Sequence, residues 1–258
     1  MNKVAGVFYG VLCYGVFLAS FLYAIAFLAN VPVPHTIDHG PSAALPIAIA
    51  VDLVLLGVFA VQHSGMARRS FKRWLIRWLP AQIERSTYVL LSSAALILIF
   101  WQWHPINQVI WNVDTRWAVI LLYGIAAAGW LVLLSGTFVI NHFDLFGLRQ
   151  VWLNLHNRPY TPLQFQERLH YRLIRHPLML GFIIAFWATP HMTAGHLLFA
   201  MATTTYILLA LRLEERDLIA AHGEEYRRYQ ERVPSLLPWP RPSTHPSQHP
   251  QHPAGAKS

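Results

Sequence analysis

The sequence predicts an all-α integral membrane protein with about five transmembrane segments, the last of them a helical hairpin. Three observations carry that prediction. Of the 258 residues 55% are hydrophobic and only 12% are charged, against about a quarter charged in a soluble domain. The apolar residues gather into long, almost charge-free runs. The basic residues, which give a formal charge of +8, avoid every second connection between those runs. A single cysteine, Cys13, excludes an intrachain disulfide and any CxxC-type zinc or redox site.

A bilayer core of roughly 30 Å needs about 20 apolar residues in a helix. Four segments meet this requirement: about Val4–Ala29 with no charge, Ala43–Val61 with Asp52 inside it, Thr87–Trp103, and Trp117–Ile140, again uncharged. The first is too long for a cleavable signal peptide and has no small-residue cleavage site behind a short apolar region, so it is expected to stay in the mature protein. Asp52 sits within a span and must face a cavity or a partner; substrate access and structural packing both account for it. A fifth apolar region is broken. Leu178–Thr189 rises only about 18 Å as a helix, Pro190 interrupts, and Gly195–Leu211 resumes. We read 178–211 as a hairpin turning near Pro190-His191, with two tilted full spans as the alternative of equal topology. A polar helix over 213–232 then follows on the cytoplasmic side, where Glu224 and Arg228, and Arg227 and Glu231, are opposite charges at helical spacing.

The charges set the orientation. With the N-terminus inside, 19 of the 20 Lys and Arg residues lie on one side of the membrane, Arg116 being the exception. That is the positive-inside pattern, and it places both termini in the cytoplasm. Trp101, Trp103, Trp111 and Trp117 cluster toward the opposite interface, as an aromatic belt does. The same distribution removes nucleic acid as the reason for the basic excess. Residues 1–237 form a single membrane domain. Residues 238–258 hold six prolines, three histidines and no aliphatic core residue, the composition of a disordered tail. The Gly6-xxx-Gly10 pair is of the kind that favours helix packing.

Charge at mid-bilayer is costly, so reactive groups belong near an interface. The longest cytoplasmic connection, Asn141–Pro177, is rich in Phe, Leu and Trp, and connections of this length are commonly functional. It ends in Arg175-His176-Pro177 at the start of the hairpin, where Pro suits a first helical turn and a helix N-terminus attracts anions. Glu214 and Glu215 leave the hairpin on the same side. A hairpin brings its two ends together, so a carboxylate pair and a His/Arg pair are expected to line one cytoplasmic pocket suited to an amino-acid-like ligand. No GxG occurs in the chain, so a nucleotide-phosphate loop has no support. No HExxH or paired-His spacing indicates a metal site outside the tail.

Three ordered segments, RHPLMLG (Arg175–Gly181), LEERDL (Leu213–Leu218) and GEEYRRYQERVPSLLP (Gly223–Pro238), resemble the C-terminal signature of the isoprenylcysteine carboxyl methyltransferase superfamily. QHS (Gln62–Ser64), NHFDLFGLRQ (Asn141–Gln150) and YGVLCYGVFLASFLYAIAFLAN (Tyr9–Asn30) are similar to a narrower bacterial branch, the membrane-bound methanethiol S-methyltransferases close to the NnrU-like proteins. The resemblance covers nearly everything except the tail. It implies an enzyme of the bacterial inner membrane that uses S-adenosyl-L-methionine from a cytoplasmic cofactor pocket. It assigns cofactor binding to Tyr171, Arg175, His176, Pro177, Leu178 and Met179 around the helix start and to Glu214 at the hairpin exit. Gln150, Leu163, Gln164, Phe165 and Gln166 fall where the upstream contacts lie. Two positions depart from the family pattern: its Tyr after the Pro is Met179 here, and the Arg that handles a prenylcysteine carboxylate is Ala210, with Arg212 nearby. Loss of that Arg favours a small neutral acceptor.

The implied reaction is methylation of a small thiol, methanethiol giving dimethyl sulfide. A thiolate is the nucleophile, so a base or a stabilising cation is expected, with His142, Asp144 and His63 as candidates for the first and Arg149 for the second. His142 serves equally as a hydrogen-bonded interface residue, and Asp144 as a helix cap or as Arg149's partner. A small apolar thiol partitions into lipid, so a lateral opening would admit it while the charged cofactor arrives from the cytosol. The rival readings are a methyltransferase for a larger prenylcysteine or lipid substrate, and a non-catalytic transport or sensing protein of the NnrU-like kind.

Overall fold

The computed structural model describes residues 2–163 and 169–237. The first long helix, α1 (Lys3–Leu28), is started by Asn2, whose side-chain oxygen accepts from the Val4 amide. Its small residues Gly6, Gly10, Cys13 and Ser20 form the buried stripe. α2 (Leu45–Ala67) opens with a proline in its first turn, and a short basic helix, α3 (Arg69–Leu75), follows it. α4 (Ala81–Gln102) and α5 (Arg116–Ile140) flank an outer connection that contains the strand β1 (Val109–Asn112). Two short helices, α6 (His142–Leu145) and α7 (Leu148–Leu155), begin the long basic connection, which ends in a 3₁₀ turn over Leu169–Arg172. The hairpin is α8 (Pro177–Trp187), the strand β2 (His191–Thr193) and α9 (Ala194–His222). A last helix, α10 (Glu224–Arg232), lies across the basic end. Five of these helices, α1, α2, α4, α5 and α9, are long and apolar enough to cross a membrane, and α8 is a shorter apolar one. The chain is an all-α integral membrane protein.

Packing between long helices follows the order α1, α4, α2, α9, α8, α5, an open ring whose two ends, α5 and α1, have no comparable contact. The outer half is held by one apolar core in which Phe27, Leu55, Ile99, Phe186 and Phe199 join α1, α2, α4, α8 and α9, with Ile37 and Trp103 between them. The tightest approach is α5 against α8. A Cβ on Gly129 would stand 2.8 Å from the Ala185 nitrogen and the Gly181 oxygen, and one on Gly181 would stand 2.7 Å from the Gly129 oxygen. Two backbones are in direct contact there, so no side chain fits without separating the helices. Gly181→Leu is expected to lower stability by about 1–3 kcal/mol, the usual cost of overpacking, read as a drop in the thermal midpoint of the detergent-solubilised protein.

The structure refines several sequence expectations. α2 runs six residues past the expected end and so carries Gln62, His63 and Ser64 on a helix. α4 begins six residues early and takes in Glu84 and Arg85. The hairpin turns where expected, and its tip meets the outer connection: β2 pairs antiparallel with β1, and the Val113 amide donates to the Pro190 carbonyl at 2.9 Å. Short as α8 is, the chain reaches the end opposite the basic connections. The polar helix expected over 213–232 is instead two helices. α9 continues to His222, and Gly223, with φ +57°, breaks it before α10; a residue with a Cβ is strained at that angle. Glu214 and Glu215 therefore sit inside α9. Trp103 is no belt residue, being fully buried with its indole donating to the Ile37 carbonyl, whereas Trp101 and Trp117 are exposed. Asp52 is fully buried and accepts from the His104 amide at 2.9 Å, in the outer connection. That is a packing contact at the end away from the basic residues. Gly10 abuts Val151 of α7, so the Gly6/Gly10 stripe is used within the chain.

Candidate active site

Three groups of polar side chains collect at the basic end. The first joins the segments that stood far apart in the sequence signature. Arg175, only 5% exposed, donates from Nε and Nη2 to Glu215 Oε1 at 2.9 and 2.5 Å, and from Nη1 to the carbonyls of Gln230 and Val233 at 3.0 and 2.7 Å. The backbone amides of Arg175 and His176 donate to Pro234 and Ser235 at 2.9 and 3.1 Å. His176 places Nε2 3.1 Å from Glu215 Oε1 and Nδ1 3.8 Å from Glu214 Oε2. Tyr229 donates its hydroxyl to the Tyr171 carbonyl at 2.6 Å. The RHP start, the Glu pair and the Tyr/VPS segment thus form one knot.

Within that knot the two glutamates divide. Glu215 is occupied by Arg175 and His176. Glu214 keeps about half its side chain exposed, and its ion-pair contact among the described residues is the longer one to His176. The Tyr171 hydroxyl is buried with no hydrogen-bond partner among the described residues, and burial and then the negative Glu214 push its pKa up, so it remains a donor. A half-free carboxylate, an imidazole edge and an orphaned hydroxyl line the same spot. That set suits a ligand carrying both a cation and hydrogen-bonding groups. Pro177 is buried, Leu178 packs on α5 and Met179 is half-buried, so these three shape the helix start by packing.

The second group sits at the α5–α6 corner. His142 is buried and uses both ring nitrogens, Nδ1 on Thr137 Oγ1 and Nε2 on the Tyr14 hydroxyl, each at 2.8 Å, with Phe138 stacked on the ring at 4.3 Å. Burial pushes its pKa below the usual value. Asp144 pairs with Arg149 at 2.8 Å and accepts from Tyr160 at 3.3 Å, and Arg149 also donates to the Thr161 carbonyl and hydroxyl, both at 2.9 Å. Asp144 is thus Arg149's partner, and the pair pins the 158–162 stretch to α7. Gln150 donates to the Asp144 carbonyl at 3.1 Å while its own side-chain oxygen is buried and has no partner among the described residues. Leu163 is exposed at the edge of the described chain. Gln164, Phe165 and Gln166 lie outside the described residues.

The third group surrounds His63, which meets Ser92 at 3.2 Å and Tyr88 at 3.0 Å and stacks on Phe59. Its neighbour Ser64 bonds Tyr206 of α9 at 3.0 Å. Packing links the three groups. Phe146 of the α6 turn packs against Met66 and Tyr88, Arg85 lies over the Tyr88 ring and donates to the Leu145 carbonyl, and Leu178 lies against Gly136, next to Thr137. The sequence placed both glutamates in the pocket but assigned a cofactor contact to Glu214 and none to Glu215, and it gave no sign of Tyr14. No metal-holding group of His, Cys, Asp and Glu exists among the described residues.

Comparison with known proteins places the chain. The family model described as NnrU protein matches residues 53–236, which takes in all three segments of the knot. The chain belongs to the NnrU family. Its relatives include a protein from Mycobacterium tuberculosis named methanethiol S-methyltransferase, 55% identical over 240 residues, 93% of this chain and 98% of the relative. A protein of the same name from Crocosphaera subtropica is 51% identical over 93% of this chain and 94% of its own length. Nurim from Rattus norvegicus is 31% identical over 74% of this chain and 78% of its own. No solved structure matches the chain. The NnrU-family match runs from within α2 to beyond α10, so the knot and the groups around His142 and His63 lie inside it, while α1 lies outside.

Proposed function

We propose that the chain is an S-adenosyl-L-methionine-dependent thiol S-methyltransferase that converts methanethiol to dimethyl sulfide. It does so at the cytoplasmic face of the bacterial inner membrane, with both termini in the cytoplasm. The observation that carries the reading is the knot at the basic end, where the RHP helix start, the Glu pair and the Tyr/VPS segment converge, in a chain 55% identical to a relative named for this reaction. When bound, S-adenosyl-L-methionine supplies a methyl group activated by its sulfonium.

This chain's residues do the rest. Glu214 would take the positive end of the cofactor, with His176 and the orphaned Tyr171 hydroxyl completing its polar contacts. Arg175 and Glu215 act behind them: they fix the helix start to α9 and to the C-terminal segment, so the gripping groups are held before the ligand arrives. Preorganisation of that kind matters because the transfer needs chiefly an in-line arrangement of two reactants. The apolar α8 helix and the lipid around it exclude water and suit an apolar acceptor. Cells expressing the protein and given methanethiol are expected to release dimethyl sulfide into the headspace, measured by gas chromatography. Release at the empty-vector level would refute the proposal.

A further inference from the structure

The open side of the helix ring is lined by aromatic side chains. Between α1 and α5, Phe21 meets Trp130 edge to face at 5.5 Å, Phe17 stacks on Phe146 at 3.8 Å, and Tyr14 lies against His142 and Phe146. These rings, and not close helix packing, span the seam. At its basic end lies the Tyr14–His142 hydrogen bond. Its polarity follows from a neighbour: Thr137 gives its only hydroxyl proton to the Leu134 carbonyl at 2.6 Å, so it accepts from His142 Nδ1–H. In that neutral tautomer Nε2 is an acceptor, and Tyr14 is the donor to it. The tyrosine oxygen keeps its lone pairs for another donor. On the far side of the imidazole is Phe138, more than half exposed on the outer surface, so the pair is one ring from lipid.

We infer that this seam is the acceptor site, and that a small apolar thiol entering it gives its proton to Tyr14 while Tyr14 passes its own proton to His142. The inference rests on the methyl-transfer reading above. In the step, the S–H bond breaks as an O–H bond forms at Tyr14 Oη. The former tyrosine O–H bond breaks as an N–H bond forms at Nε2, leaving an imidazolium whose Nδ1–H stays on Thr137. The thiol sulfur keeps the electron pair and uses it to bond the methyl carbon of S-adenosyl-L-methionine, whose bond to the sulfonium breaks onto that sulfur. Three features favour a thiol here. Only the thiolate is a competent nucleophile, and sulfur packs well against aromatic rings. The pair also adjoins the cofactor motif, since Thr137 follows Gly136, against which Leu178 packs. Burial lowers the His142 pKa, which favours the neutral ring that its hydrogen bonds require. The other titratable groups nearby are engaged or buried: Asp144 with Arg149, Arg85 on the Leu145 carbonyl, Tyr9 with Thr87, and Cys13 inside the packing.

The test uses the full chain, purified into nanodiscs. Tyr14→Phe keeps the ring and removes the relay. Its calorimetric affinity for S-adenosyl-L-methionine is expected to stay within about twofold of the unaltered protein. Its methanethiol methylation at neutral pH should fall about a hundredfold, the scale of general acid–base catalysis, with the loss shrinking as pH approaches the thiol's own pKa. His142→Gln, which can hydrogen-bond but cannot take the proton, should show the same pH-dependent recovery. Undiminished activity in either variant, an equal loss at every pH, or a lost cofactor affinity would each overturn the inference. Failure of the methyl-transfer reading looks different: the unaltered protein then makes no dimethyl sulfide at any pH, and the pair's role falls with it.

Discussion

Arg175→Met is expected to release the C-terminal helix from the membrane domain and to cost about 3–5 kcal/mol, the range for removing one partner of a buried ion pair. Methionine fills the volume of the stem but leaves Glu215 without its cation and the carbonyls of Gln230 and Val233 without their donor. A backbone carbonyl stripped of its partner in a buried place costs more than the lost bond itself. The backbone bonds to Pro234 and Ser235 remain possible, so the loss should concentrate at α10 itself while the segment after it stays attached. Limited proteolysis should then cut near Gly223 or Val233 in the variant and not in the parent. An unchanged cleavage pattern with an unchanged thermal midpoint would show that Arg175 is not the clamp.

Glu214→Gln and Glu215→Gln are expected to fail in opposite ways, although the residues are adjacent. Glu215 has a structural load, and its amide variant loses the ion pair with Arg175 and accepts weaker hydrogen bonds from Arg175 and His176. Stability should fall first, and cofactor affinity with it. Glu214 is half exposed and carries only the longer His176 contact. Glu214→Gln should leave the thermal midpoint in place and weaken S-adenosyl-L-methionine binding by about 10- to 100-fold, the worth of one hydrogen bond to a charged group. Calorimetry and thermal scans on both variants separate the roles. Equal losses of stability in the two would mean that the carboxylates are interchangeable struts.

Much of this was legible in the chain because membrane physics writes in long words. Runs such as Trp117–Ile140 have one stable solution in lipid, and the 19 basic residues on one side fix which ends share a face. The meeting of Arg175 and His176 with the Glu214/Glu215 pair was legible too, since a hairpin must return its exit to its entrance; the return of the chain at Val233 was not. What was not legible depended on single contacts. Nothing in LEER says which glutamate turns toward Arg175; that is decided by the rotation of α9, which stays helical to His222 instead of ending near Leu211. Trp103 reads like its belt neighbours, and only the fold around Ile37 buries it. Tyr14 lies mid-span among apolar residues, where a tyrosine gives no periodic signal, and its partner is 128 positions away.

The central claim is that the polar layer at the basic end is a methyl-transfer site in which Glu214 holds the donor. The most direct measurement is product formation by the purified protein in nanodiscs, supplied with S-adenosyl-L-methionine and methanethiol. Dimethyl sulfide should form in step with consumption of the methyl donor in the unaltered protein, and its formation should fall sharply in Glu214→Gln at limiting cofactor. No dimethyl sulfide from the unaltered protein, or an undiminished yield from Glu214→Gln, would contradict it.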